Sequence, residues 1–206
     1  MNKLYSITII LLLIGSAFAT IDSNDSTVLQ SPAFIMALKG HTYYKTLGKI
    51  SSDTIIVIDF DLPSTAKRMF IYDIKNKRIL HTSLVAHGKN TGQNRATSFS
   101  NEHGSNKSSL GFFRTAERYS GKHGLSLRLD GLEKGVNHRA RARAIVIHSA
   151  WYVSDDFVHK YKRLGRSYGC PALPFKDYEE VIDLIDNQLL LFIYSSATNY
   201  QPPFKN

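Results

Sequence analysis

Thr54-Ile55-Ile56-Val57-Ile58-Asp59-Phe60 is an almost unbroken run of apolar and β-branched residues, the side chains that suit a pleated backbone. It reads as a strand. Two further strand-like runs, Arg68 to Ile74 and Ile79 to Ala86, flank the turn Lys75-Asn76-Lys77, and so short a connection joins only antiparallel neighbours. Strand character resumes at Gly111 to Glu117 and at Leu125 to Leu129 across the turn Ser120 to Gly124. It returns in Ala144 to Ile147, which ends at His148, and in Leu189 to Tyr194. The expected class is mainly β (α+β): a mostly antiparallel sheet with a hydrophobic inner face and a few peripheral helices.

Helical patterns are short and lie between these runs. Ser31-Pro32 supplies an N-cap and a proline at the first helical position, followed by Phe34, Ala37, Leu38 and Tyr44 on one face, with Gly48 as the stop. This helix is expected to pack outside the sheet. Ser154 to Lys162 predicts a second helix, and Asp177 with Glu180 a capping box ahead of the stripe Tyr178, Val181, Ile182 and Ile185. His87 to Leu110 is a long connection dense in Gly, Ser and Asn, the kind that is functional or mobile.

Lys3, the apolar run Ile7 to Ile14 and Ala17-Phe18-Ala19 follow the order of a secretory signal peptide, read here over residues 1–19. The run falls short of the roughly 20 residues needed to span a bilayer, so no stable membrane anchor is expected after cleavage. Residues 20–30 read as a disordered leader, 31–195 as one domain and 196–206 as a loose polar tail. An exported protein in the periplasm or cell envelope, or outside the cell, is expected. The chain carries a formal net charge of +9. Export argues against nucleic acid, so the basic balance points to an anionic wall polymer or membrane surface, or serves solubility. The run His138-Arg139-Ala140-Arg141-Ala142-Arg143 reads as a solvated face or as a binder of wall carboxylates.

Gly165-Arg166-Ser167-Tyr168-Gly169-Cys170-Pro171-Ala172-Leu173-Pro174 holds the one cysteine of the chain. Its glycines and prolines keep it out of regular structure and make it a shaped loop. An unpaired thiol in an oxidising compartment is a liability unless used, which favours a nucleophile over an inert buried Cys. His148, at the tip of a buried strand, is the natural base, and the Gly169 and Cys170 N-H groups could face an oxyanion. His87, His103, His148 and Cys170 lack metal-ligand spacing, and no metal or cofactor is expected.

Ile147-His148-Ser149-Ala150-Trp151-Tyr152-Val153, followed by the Gly165 to Ala172 loop, resembles the catalytic signature of the L,D-transpeptidases, most closely the murein L,D-transpeptidase catalytic-domain family. Further matches are Ile58-Asp59-Phe60, Val85-Ala86-His87-Gly88, Phe99-Ser100-Asn101, Ser108-Ser109-Leu110-Gly111, Tyr119 to Gly124 and Leu129 to Leu132. The resemblance implies a β-sandwich or barrel, Cys170 as nucleophile, His148 as base oriented by a backbone carbonyl, and an oxyanion hole from backbone N-H groups around Gly169. It implies peptidoglycan stem peptides as partners, met by His87, Ser149, Arg166, Ser167 and Tyr168. Ala172 stands where the family often has Arg or Asn, and Ser149 where Gly is common; Arg166 would then supply the anchoring charge. The implied reaction is acyl transfer through a thioester to form 3-3 cross-links. The alternatives are hydrolysis as an L,D-carboxypeptidase and a non-catalytic wall-binding module. A monomer is expected.

Overall fold

The run that opens the sequence reading forms β1, Thr54–Asp59, and it lies in the interior of an eight-stranded sheet. The computed structural model describes residues 27–122, 124–176, 178–186 and 188–204. Along the chain come β2 (Met69–Asp73), β3 (Arg78–Ser83), β4 (Gly111–Gly121), β5 (Gly124–Gly131), β6 (Val146–Ser149), β7 (Ala172–Leu173) and β8 (Leu190–Tyr194). The spatial order is β3-β2-β1-β8-β4-β5-β6-β7. Most neighbours are antiparallel, as expected from the short turns, but β1 with β8 and β6 with β7 are parallel. Past β3 the chain reaches Ala86, which exchanges backbone bonds of 2.8 and 3.4 Å with Ala172 of β7. This contact brings the two ends of the sheet together, so that it nearly closes into a barrel.

Successive side chains of a strand face opposite ways, and the sheet is buried on both sides where β1 and β8 run. Ile56, Ile58, Leu191 and Ile193 face the barrel interior with Phe113, Leu127 and Ile147. Ile55, Val57, Leu190 and Phe192 face outward and are covered by α1, Pro32–Thr46. That double burial is why β1 is apolar throughout instead of alternating. Ser31 caps α1 by accepting from Phe34 N-H at 3.4 Å. The buried face of α1 runs Ala33, Phe34, Ala37, Gly40, His41 and Tyr44, which leaves Leu38 at its edge.

Two short helices complete the fold. α2, Asp155–Tyr161, starts at Ser154, whose hydroxyl accepts from Phe157 N-H at 3.2 Å, and none of its residues is buried. α3, Tyr178–Ile185, drives Tyr178, Val181, Ile182 and Ile185 into the barrel core. The Tyr178 hydroxyl donates to the carbonyls of Leu125 and Ile147, at 2.9 and 3.0 Å, fastening this helix to β5 and the start of β6.

The chain ends depart from the expectation. Residues 1–26, which include the proposed signal peptide and most of the leader, lie outside the described residues, as does Asp177 of the capping box. The segment 27–30, read as disordered, instead makes a turn whose Val28 and Leu29 pack on the α1 cluster. The tail read as loose also packs: Tyr200 OH donates to Glu133 Oε2 at 2.8 Å, and the Phe204 ring lies 5.4 Å from that of Tyr43. Its two aromatics supply the apolar contact that its polar residues conceal. No described helix is long and apolar enough to cross a membrane.

Candidate active site

His148 lies on β6, paired with Ser126 of β5 on one side and Ala172 of β7 on the other. Its N-H donates to the carbonyl of Pro171 at 3.4 Å, which sets the backbone of the candidate base beside that of the Cys170 loop. The ring is buried, and its Nδ1 lies 2.9 Å from the Ser149 carbonyl. A carbonyl only accepts, so Nδ1 carries the proton and Nε2 is the basic nitrogen. The orienting group is thus a backbone carbonyl. Ser149 itself is buried.

Cys170 is partly exposed, and its thiol donates to the Ala144 carbonyl at 3.7 Å. Ala144 sits in the left-handed region at φ 53°, a conformation costly for a residue with a Cβ, and the turn it makes precedes the strand that carries His148. Burial pushes the Cys170 thiol up, while the Val146 N-H, Arg143 and Lys122 act to lower it. A thiol held above its usual range needs a base before it can attack.

The Cys170 loop is locked by its own side chains. The Ser167 hydroxyl donates to the Cys170 carbonyl at 2.6 Å and accepts from Gly169 N-H at 3.0 Å. That second bond corrects the expected oxyanion pair, because the Gly169 N-H is already committed. Cys170 N-H has no acceptor among the described residues. Gly169 has φ 129°, and a Cβ there would stand 2.9 Å from the Lys107 carbonyl, so the backbone both needs and leaves room only for glycine. Its carbonyl accepts from Ser108 Oγ at 3.1 Å, and Ser108 Oγ in turn accepts from Gly88 N-H at 3.0 Å. One hydroxyl therefore ties the Cys170 loop to the backbone at Gly88.

His87 and Arg166 occupy structural positions. The His87 ring is 1% exposed, with Nδ1 accepting from Arg68 Nη2 at 2.8 Å, so it is not open to a substrate as expected. Burial and the Arg68 charge push its pKa down to about 4, and Nε2 faces Gly92 and Gln93 without a bond of normal geometry. Arg68 is fully buried and donates as well to the carbonyls of Val85 and Leu62. The His87 carbonyl accepts from Ser167 N-H at 3.0 Å, so that residue supports the loop from behind. Arg166 Nη1 donates to the carbonyls of Lys89 and Gly92, both at 3.0 Å. Its charge is spent on holding the 88–92 turn. Tyr168 is 69% exposed, with Lys89 Nζ 4.4 Å above its ring, on the open side of the loop.

A family model described as the L,D-transpeptidase catalytic domain matches residues 25–194. The chain belongs to this family. Comparison with curated proteins gives no match. Among solved structures, the L,D-transpeptidase domain is similar to an L,D-transpeptidase from Mycobacterium smegmatis at 12% identity and TM-score 0.43, over 70% of this chain and 60% of that one. L,D-transpeptidase 1 of Mycobacterium tuberculosis is 12% identical over 70% and 63% of the two chains, with TM-score 0.40. The L,D-transpeptidase of Xylanimonas cellulosilytica is 13% identical over 80% and 70%, with TM-score 0.39. The present chain thus spans about 60% of the length of the mycobacterial proteins.

Three residues of this L,D-transpeptidase domain near Cys170 were not singled out by the sequence. Arg143, from the run read as a solvated face or carboxylate binder, turns inward and donates to Ser109 Oγ at 2.5 Å, the Ser100 carbonyl at 2.8 Å and the Lys107 carbonyl at 2.6 Å. Arg139 and Arg141 of the same run pair with Glu102 and with Glu117 and Asp130. Tyr152 is half-buried, and burial with the charges of Cys170 and Tyr168 pushes its hydroxyl up to about 12. Lys122 is the third. The one available signal was position: Arg143 directly precedes the β6 run, and Tyr152 and Lys122 lie inside the quoted motifs.

Proposed function

We propose that this domain transfers peptidoglycan stem peptides through a thioester on Cys170 and forms 3-3 cross-links. The reading rests chiefly on one observation, the Nδ1 to Ser149 carbonyl bond that makes Nε2 of His148 basic beside a loop presenting a lone thiol. His148 Nε2 takes the Cys170 proton as sulfur attacks the carbonyl before the terminal D-Ala of a tetrapeptide. The Cys170 N-H is the donor available to the oxyanion that forms. Collapse breaks the peptide C-N bond, and His148 returns its proton to the departing D-Ala amine. A side-chain amine of a second stem then attacks the thioester, the C-S bond breaks, and the acceptor's proton passes through His148 back to sulfur. Arg143 and Lys122 favour the thiolate in the first step.

The test is mass spectrometry of disaccharide-tetrapeptides incubated with the protein lacking residues 1–19, beside Cys170→Ala. Dimers that have lost one D-Ala, absent with the variant, are expected. Tripeptide without dimers would replace this reading with carboxypeptidase action, and unchanged tetrapeptide with a folded protein would sink it.

A further inference from the structure

A cleft of about 640 Å³ does not include Cys170 but adjoins its strands. Ala150 and Trp151 line it just beyond His148, and Pro174 and Phe175 line it just beyond β7. Its walls are unusual in composition. Trp151 and Phe175 are 69% and 63% exposed, although both are large apolar rings that a folded chain ordinarily covers. Trp151 is held in place edge-on against Tyr152 and Phe157, at 5.9 and 5.7 Å, and the strip continues from Phe157 to Tyr161 at 4.4 Å along α2. The rings are therefore set before any ligand arrives.

The remaining lining decides what chemistry fits. Lys67 and Lys176 are balanced by Asp155 and Asp156, so the cleft does not select a polyanion, and hydroxyls of Thr65 and Ser83 add neutral donors and acceptors. Open aromatic faces with neutral polar groups at their edges suit a ligand with flat C-H faces and hydroxyl or amide rims. Sugar rings have that form. The volume lies within the usual range of ligand clefts.

We propose that this cleft is a subsite for the neutral N-acetylhexosamine strand of peptidoglycan, stacked on Trp151 and Phe175, which positions the attached stem peptide toward Cys170. The inference rests on the wall-directed reading above, since the stem is carried by that strand.

Trp151 is the one tryptophan of the chain, so its emission reports on this cleft alone. Titration of the Cys170→Ala protein with N-acetylglucosamine oligomers should give a saturable change in emission, with affinity three- to tenfold weaker in Phe175→Ala, about the effect of one lost aromatic contact. Calorimetry on Trp151→Ala should show the same loss. In the active protein, the ratio of kcat/KM for disaccharide-linked over free tetrapeptide should fall toward one in Trp151→Ala. No response to oligomers at millimolar concentration overturns the proposal. So does a response to anionic lipid vesicles in place of oligomers, or binding that Phe175→Ala and Trp151→Ala leave intact. The binding measurements use a protein without the thiol, so they stand or fall independently of the transfer chemistry.

Discussion

Burial raises the Cys170 thiol, and Arg143 is the strongest side-chain charge opposing that rise. Arg143→Gln should therefore move the pH midpoint of Cys170 alkylation by iodoacetamide upward, while Arg143→Lys keeps it near its original place. A midpoint indifferent to both would show that Arg143 only holds the 100–109 turn. His87 offers a second test. Its folded pKa of about 4 lies below the ordinary 6.5, so the unfolded chain binds the extra proton first as pH falls. The contribution of the neutral ring is present above pH 6.5 and is lost as pH falls toward 4, about 3 kcal/mol in all. The stability difference between His87→Gln and the parent, followed by urea unfolding, should shift in favour of the variant across that window. A pH-independent difference would place the proton elsewhere. Both residues illustrate a limit of sequence reading. Charge and polarity suggested solvent or substrate for His87 and Arg143, whereas partners from distant segments draw both inward: the Arg68 guanidinium donates to His87, and the Ser100 and Lys107 carbonyls accept from Arg143.

At the scale of elements, the strands and helices were largely legible because their patterns are local. The capped start of α1, the β2-β3 turn and the stripe of α3 follow from residue type and spacing. The buried face of α1 was less legible, since Gly40 and His41 belong to it and neither is a hydrophobe. Gly40 is there because a Cβ would come within 2.1 Å of the Phe112 ring, which lies directly against the helix. Gly40→Ala should accordingly destabilise the protein by about 1–3 kcal/mol, despite its better helix propensity. Urea denaturation reads this directly. A stabilised variant would mean that helix and sheet can separate without loss. The Cys170 loop is the opposite case: its Gly and Pro content marked it as shaped, but not that Ser167 would occupy the Gly169 N-H.

In the whole molecule, the carboxyl-terminal segment joins the packing of α1 to the barrel. Glu133 accepts from Phe112 N-H and Tyr200 OH, and Phe204 lies between Tyr43 and Phe112, at 5.4 and 5.8 Å. Deleting residues 199–206 should cost about 3 kcal/mol or more, comparable with removing a buried aromatic, and should lower the melting temperature. Burial holds the Glu133 carboxyl up at about 7, so its stabilising contribution is present below pH 4.5 and is lost as pH rises to 7. Opening it to water by the deletion should flatten that limb. An unchanged melt would mean that the tail only rests on the surface.

The sequence by itself determined the β-rich class, the sites of the main elements, the candidate pair Cys170 and His148, and the family. These depend on residue type, periodicity and ordered motifs, all of which are written along one dimension. The tertiary structure decided that β8 inserts beside β1 in parallel, that Ala86 meets Ala172 to draw the sheet toward closure, and that Arg68, His87 and Arg166 support the loop from within. It also decided which N-H groups near Cys170 remain available. Such outcomes turn on which distant backbone groups and rings come within reach of one another, and the local pattern carries no record of that distance.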